Sequence, residues 1–393
     1  MKKAWILFCC ATIALWGEEK DPVQQLVLER SLCAGSLFEA KAKVEEGNLL
    51  LSPLSISTSL SLLYMGARGE TADEIAEVLH TNLKASQLKK NCGLLYKDLQ
   101  KMVLKKGGAY QLVSALFVDQ DVFLLSSFKG EIEGALLGQV QRLNFSEPES
   151  ARTKINGWIE KQTEGNISEL VTKDAINPAT RLIVANALFL KGKWRSPFDK
   201  EKTRAASFYV SDTKTQSVPM MEGVLKTGYF ENDLLQMVAL NFEDLSASCL
   251  FILPKSTENL SLCEREFPLS FREWYKGLEE KNVAVKIPKC SLRHRLDLQP
   301  LFKQLGASSL FTTQANFSGI DGKLDLYVSQ MVTEALLVFN EEGLLVTEAS
   351  QSNMGLKDLI SQAAFCADRP FLVVVLDDKR GETLFLGRFV TPL

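Results

Sequence analysis

Two histidines, His80 and His294, supply all the imidazole in the 393-residue chain. His80 ends a helix-like pattern beside Thr81 and Asn82, and His294 stands between Arg293 and Arg295, a poor setting for a general base. A Ser-His-Asp or Cys-His relay would need one of them, and no G-x-S-x-G elbow is present. Walker, GxGxxG, HExxH and EF-hand patterns are also missing. These residues argue against an enzyme and call for no cofactor and no metal.

Three other groups of side chains could do chemistry. Lys90, Lys97 and Lys101 fall within about 40° of one another on a helix turning ~100° per residue. Such a stripe could hold a sulfated polysaccharide by counterion release. The plainer alternative is a solvated helix face, interrupted by Asp98. Asn144, Asn166, Asn259 and Asn316 each open an Asn-x-Ser sequon, a glycan acceptor if the chain is secreted. Six cysteines follow the leader, at 33, 92, 249, 263, 290 and 366. They form no CxxC, so zinc is disfavoured, and the spacing selects no disulfide pairing.

The elements around these groups begin with a leader. Residues 1–17 carry Lys2 and Lys3, an apolar stretch from Ala4 to Trp16, and Gly17 at a small-residue edge. This is the pattern of a secretory signal. The apolar stretch is short of the ~20 residues that span a bilayer. The formal charge of −3 makes a mildly acidic protein with no overall bias toward nucleic acid or membrane.

Beyond the leader, with no linker or repeat, the chain reads as one domain, 18–393. Its first half is mainly helical. Ser52-Pro53 starts a helix with a cap and an N1 proline. Thr71 with Glu74 reads as a capping box. Residues 86–104 suggest an amphipathic helix with Leu88, Leu94, Leu95, Leu99 and Val103 near one face. Strands dominate from Tyr110, with helical interruptions near 151–162, 267–280 and 297–306. Helices first and long strands later predict an α+β fold. Between the apolar runs 335–339 and 371–376 lies a long segment with no core period, EEGLLVTEASQSNMGLKD within it. Compact domains rarely keep such a connection without a function.

FCADRPFLVVV (365–375) closely resembles the signature of the serpin family. LLSPLSISTSLSLLYMGARGETADEI (50–75), INGWIEKQTEGNI (155–167), VANALFLKGKWRSPF (184–198), SVPMM (217–221), LFILP (250–254), NFSGI (316–320) and GRFVTP (387–392) match serpin segments in the same order. The resemblance implies about nine helices around three β-sheets, with an exposed reactive loop at about 343–364. It implies suicide inhibition of a serine protease: the loop is cut, an acyl-enzyme forms, and the loop inserts as a new strand. A monomer needs no partner beyond that protease. Residues governing sheet opening map onto Ser52, Pro53, Ser55, Asn186 and Trp194.

By the same resemblance Gly343 is the glycine at the base of the hinge, and the scissile bond is Lys357–Asp358. Lysine suits a trypsin-like protease; Met354 and Leu356 offer chymotrypsin- or elastase-like alternatives. The hinge departs from the inhibitory pattern. Leu344, Leu345 and Val346 precede Thr347, Glu348 and Ala349, where the family has a polar pair and then alanines. With Gly343 setting the register, 344, 346, 348 and 350 face the core, and Glu348 would bury a carboxylate. With Thr347-Glu348-Ala349 taken as the family's Thr-Glu-Ala, Glu348 faces solvent and the scissile bond moves near Ile360. Thr333 also replaces a histidine that many serpins place beneath the opening sheet. A non-inhibitory serpin, acting as a binding or carrier module, is therefore the alternative.

Overall fold

The computed structural model describes residues 21–136, 138–346 and 360–392. The leader 1–17, the hinge residues Thr347, Glu348 and Ala349, and the scissile pair Lys357 and Asp358 lie outside the described residues.

Helix α1 (Pro22–Ala42) is followed by the short strand β1 (Leu49–Leu51), then α2 (Pro53–Gly66), α3 (Gly69–Val78) and α4 (Ala85–Leu99). The second half of the chain is strand-rich. Strand β2 (Ala109–Asp119), α5 (Ser126–Ala135), β3 (Gly138–Leu143), α6 (Pro148–Gln162) and β4 (Leu182–Lys193) come first. Strands β5 (Arg204–Ser211), β6 (Lys214–Glu231), β7 (Leu235–Asn241) and β8 (Ala247–Pro254) follow, then α7 (Leu260–Lys276). Next are β9 (Glu279–Pro288), β10 (Cys290–Asp297), α8 (Gln299–Gln304) and α9 (Ser318–Asp321). The chain closes with β11 (Gln330–Phe339), β12 (Gly343–Leu344), β13 (Ala363–Cys366), β14 (Phe371–Asp377) and β15 (Thr383–Phe389).

The fold is α+β, with nine α-helices among the described residues. Its strands form two hydrogen-bonded sheets, of nine and six strands. The count is two rather than the expected three because β6 runs unbroken for 18 residues. It pairs with β5 at its start, β9 through its middle and β7 at its end, joining what would otherwise be separate layers.

Helix α2 begins as the sequence requires. Ser52 is its N-cap, its Oγ accepts the Ser55 N–H at 3.3 Å, and Pro53 takes the first helical position. Leu54, Ile56, Leu60 and Leu63 are fully buried. Each contributes roughly 1.5–3 kcal/mol by leaving water.

The capping box expected at Thr71 and Glu74 does not form. Helix α3 starts at Gly69, which turns into it at φ +54°, and both side chains reach to another segment instead. Thr71 Oγ1 accepts the Asn316 N–H at 3.0 Å, and Glu74 Oε2 accepts the Ser309 N–H at 2.9 Å. Helix α4 ends at Leu99, before Val103, which is exposed; Leu94 is also exposed, turned off the face where Leu88, Leu95 and Leu99 are buried.

The six-stranded sheet runs β10-β11-β12-β4-β2-β3 and is covered on both faces. On β4, Ile183, Ala185 and Ala187 pack with Ile155 and Ile159 of α6, whereas Leu182, Val184, Leu188 and Leu190 join the main core. This alternation puts Asn186 on the inner face, toward α2.

Candidate functional site

The site is the seam between β4 and β11 and the chain that leaves its upper end. The two strands pair directly, in parallel, from Gln330–Glu334 and Ile183–Ala187. Above Ala187 they part. Strand β12 enters the gap, with Phe339 opposite Leu344, Gly343 opposite Lys193 and Leu344 opposite Gly192. Between the direct pairing and β12, residues 188–191 of β4 face no strand on that edge among the described residues. Among the described residues, a slot about four residues long therefore lies beneath β12, roughly 13 Å at the strand rise.

Strand β12 ends at Leu344, and the chain turns away at Leu345. Leu344 is fully buried and Val346 nearly so. Leu345 sits at φ +53°, a left-handed conformation costly for a side chain of its size. It turns the chain out of the strand path, and its N–H donates to the Val338 carbonyl at 2.9 Å.

Gly343 is required for two reasons. Its φ is +157°, and a Cβ there would stand 2.1 Å from the Gly192 carbonyl oxygen. The turn before it is built by Asn340, whose Oδ1 accepts the N–H groups of Glu342 at 2.9 Å and Gly343 at 3.1 Å. Its Nδ2 donates to the Val346 carbonyl at 2.6 Å.

Trp194 holds this turn from below. Its backbone N–H donates to the Glu342 carbonyl and its Nε1 to the Asn340 carbonyl, both at 2.9 Å. Its ring stacks on Phe242 at 4.9 Å. Glu341 is buried and clamps the same turn, with Oε1 accepting from Thr203 Oγ1 at 2.9 Å and Oε2 from Lys289 Nζ at 3.1 Å. Burial pushes the Glu341 carboxyl up, but its own N–H, Lys289 and Thr203 outweigh this and hold it below its usual range. Glu342 pairs with Lys200 at 3.1 Å. The sequence reading missed Asn340, Glu341, Thr203 and Lys289. Only the short polar string between two apolar runs marked the first two.

Lower on the seam a polar row crosses the inner face. Ser114 of β2 lies opposite Asn186 of β4, which lies opposite Thr333 of β11. Ser55 Oγ of α2 donates to Asn186 Oδ1 at 2.5 Å. Ser52 Oγ ties the start of α2 to the Leu384 carbonyl at 3.0 Å. The structure thus brings together Ser52, Pro53, Ser55, Asn186 and Thr333, with Trp194 at the upper end. Asn186 Nδ2, Thr333 Oγ1, Ser114 Oγ and Ser59 Oγ are buried with no hydrogen-bond partner among the described residues. Each such group costs about 1–3 kcal/mol. The directly paired stretch of the seam therefore carries buried polar groups that weaken it.

The remaining sequence candidates are scattered. Lys90 and Lys97 are exposed on α4, but Lys101 lies in the 3₁₀ turn Gln100–Met102 and pairs with Asp98 at 3.6 Å. The stripe is shorter than expected because the helix stops first. All four sequon asparagines are half-buried. Three use their side chains locally: Asn144 Nδ2 donates to Glu147, Asn166 Nδ2 to the Thr163 carbonyl, and Asn316 Oδ1 accepts from Ser318. Asn259 makes no such side-chain bond among the described residues. All six described cysteines are free thiols. His80 Nε2 lies 2.8 Å from Ser36 Oγ, His294 sits on β10, and no metal-holding cluster occurs among the described residues.

The family model described as Serpin (serine protease inhibitor) matches residues 31–392. Serpin B6 of Macaca fascicularis is 32% identical over 366 residues, 91% of this chain and 96% of that protein. Leukocyte elastase inhibitor of Equus caballus is 30% identical over 384 residues, 94% of this chain and 100% of that protein. Human glycosylated kallistatin superposes with a TM-score of 0.86 at 25% identity, covering 95% of this chain and 99% of that chain. Human thyroxine-binding globulin complexed with its ligand gives 0.86 at 26% identity, covering 95% and 100%. A seam opening onto a slot, with a strand end already seated in it, is thus carried on a whole-length family match, and the chain belongs to the serpin family of serine protease inhibitors.

Proposed function

We propose that the chain is a secreted, single-domain suicide inhibitor of a trypsin-like serine protease. The protease cuts Lys357–Asp358, and the released loop enters the slot between β4 and β11 as a full strand. One observation supports this above all. Strand β12 is already seated above the slot with Leu344 facing the core, and among the described residues the next positions of β4 have no strand partner on that edge. Insertion would extend an existing pairing, which avoids the cost of nucleating a new one.

A second reading rests on the hinge. Leu345 holds a strained bend and Val346 is buried beside it, so the loop base is anchored. An anchored base suits a non-inhibitory carrier, and thyroxine-binding globulin is one structural relative with a bound ligand. Lys90, Lys97 and Lys101 are the residues proposed for a sulfated polysaccharide, and the four sequons those for glycans.

Incubation with a trypsin-like protease, read by denaturing gel and mass spectrometry, separates these readings. An SDS-stable adduct with the acyl bond at Lys357 supports inhibition. Cleavage with no adduct from any protease in a panel sinks it.

A further inference from the structure

Residues 84–106 hold seven lysines and a single acid, Asp98, in a chain of formal charge −3. Asp98 is held by Arg380 and Lys379 as well as Lys101. Lys89 pairs with Glu131 at 3.0 Å and Lys105 with Glu243 at 2.7 Å, whereas Lys90, Lys97 and Lys106 make no ion pair among the described residues. On α4, Lys90, Leu94 and Lys97 fall within about 60° of one another at ~100° per residue. They line a groove of about 260 Å³ between α4 and α5, where Gly93 and Gly134 leave room by having no side chain.

Apolar side chains are interleaved with these lysines. Nine large apolar side chains are exposed among the described residues, and three of them, Leu94, Val103 and Leu104, fall within residues 94–104. Scattered singly, exposed apolar residues call for no explanation, but gathered between lysines they do. Leu104 is 58% exposed and Leu94 42%. The backbone beneath them is held in place. Val103 forms a bridge with Leu245, and the Leu104 and Lys105 N–H groups donate to the Asp244 carbonyl at 2.8 and 3.3 Å. Val103, Leu104, Lys105 and Lys106 are thus presented to solvent from a fixed chain.

We propose that this face docks on an anionic phospholipid bilayer. Lys90, Lys97 and Lys106 meet the headgroups, and the groove at Lys90 and Lys97 receives one headgroup phosphate. Leu94 and Leu104 enter the boundary between headgroups and acyl chains. Charge and apolar insertion act together in this mode, and neither alone holds a protein firmly at a membrane. A sulfated polysaccharide, proposed above for the same lysines, meets the charges equally but offers the leucines no apolar phase. The docking goes beyond the inhibitory reading and does not depend on it, since an inhibitor or a carrier held this way would act at a membrane surface.

The test is co-sedimentation of the intact protein with mixed phosphatidylserine–phosphatidylcholine vesicles and with vesicles of phosphatidylcholine alone, in physiological salt. Binding to the mixed vesicles only is expected. Lys90→Gln combined with Lys97→Gln should weaken it about ten-fold or more, since each lysine near an anionic surface contributes about five-fold. Leu94→Gln and Leu104→Gln should each weaken it several-fold while leaving retention on immobilised heparin unchanged. Leu104 is the more exposed of the two, so Leu104→Gln decides the matter if Leu94→Gln disturbs α4. No binding to the mixed vesicles overturns the proposal, and so does equal binding to phosphatidylcholine alone. Wild-type vesicle binding by Leu104→Gln also overturns it, because the face would then act by charge alone and serve a polysaccharide. Cleavage of the loop with no protease adduct would sink the inhibitory reading and leave each of these outcomes as it is.

Discussion

Asn186 and Thr333 lie directly opposite each other across the β4–β11 pair, and neither Asn186 Nδ2 nor Thr333 Oγ1 has a hydrogen-bond partner among the described residues. Two polar groups are thus buried in the seam that the proposed insertion would open, and neither is satisfied there.

Thr333→Val removes one unpaired hydroxyl at nearly constant shape. It should stabilise the uncut protein by about 1 kcal/mol and slow the opening of the seam. Because serpin unfolding is read best as a rate, the check is the half-life at a fixed elevated temperature. A shortened half-life would show that the hydroxyl contributes bonding.

Gly343→Ala places a methyl group against the Gly192 carbonyl, at a distance no contact tolerates. Strand β12 should leave the slot, at a cost of about 2–4 kcal/mol. Limited proteolysis should then cut within residues 340–346, which the wild type protects. Unchanged proteolysis would mean that β12 contributes no protection.

Glu341→Gln keeps the shape of the side chain but loses the charge that meets Lys289 and Thr203. With its carboxyl held below the usual range, Glu341 contributes stability that is present above the unfolded pKa and lost as pH falls through the lower folded value. The variant should be less stable than wild type at pH 7, and the gap should close under acid. A gap that stays constant with pH contradicts the clamp.

The buried Glu382 behaves in the opposite way. Burial raises its carboxyl to about 7, Arg30 opposes this, and Asp377 adds to it. Asp377 itself is raised to about 6, mainly by burial. A folded pKa above the unfolded one gives stability that is full at low pH and lost as pH rises through about 7. Glu382→Gln mimics the protonated form. It should match wild type near pH 5 and exceed it near pH 8, as measured by thermal midpoints across that range. Equal midpoints at pH 8 would mean that the Arg30 contact at 3.7 Å holds the charged form after all.

Local signals carried much of this from the sequence. Ser52-Pro53 stated the start of α2 because a cap and an N1 proline are local features. What failed depended on distant contacts. Thr71 and Glu74 looked like a cap, but the chain at 309–316 claimed their side chains. Leu94 and Val103 fitted a helical period that ended before the second of them. At the site, Ser55, Asn186 and Thr333 came only through family resemblance, since a row across three strands has no spacing in the sequence. Glu341 and Lys289 are 52 residues apart, and no local rule joins them. Leu345 was missed because nothing in Gly-Leu-Leu-Val announces a left-handed leucine.

The central claim is that the cut loop becomes a strand in the slot beneath β12. Its most direct test is the thermal midpoint of the protein before and after trypsin cleavage, with the cut located by mass spectrometry. The account predicts cleavage at Lys357–Asp358 and a midpoint raised by tens of degrees, as a full strand fills the gap beside residues 188–191. A loop cut at that bond with the midpoint unchanged or lowered would contradict it.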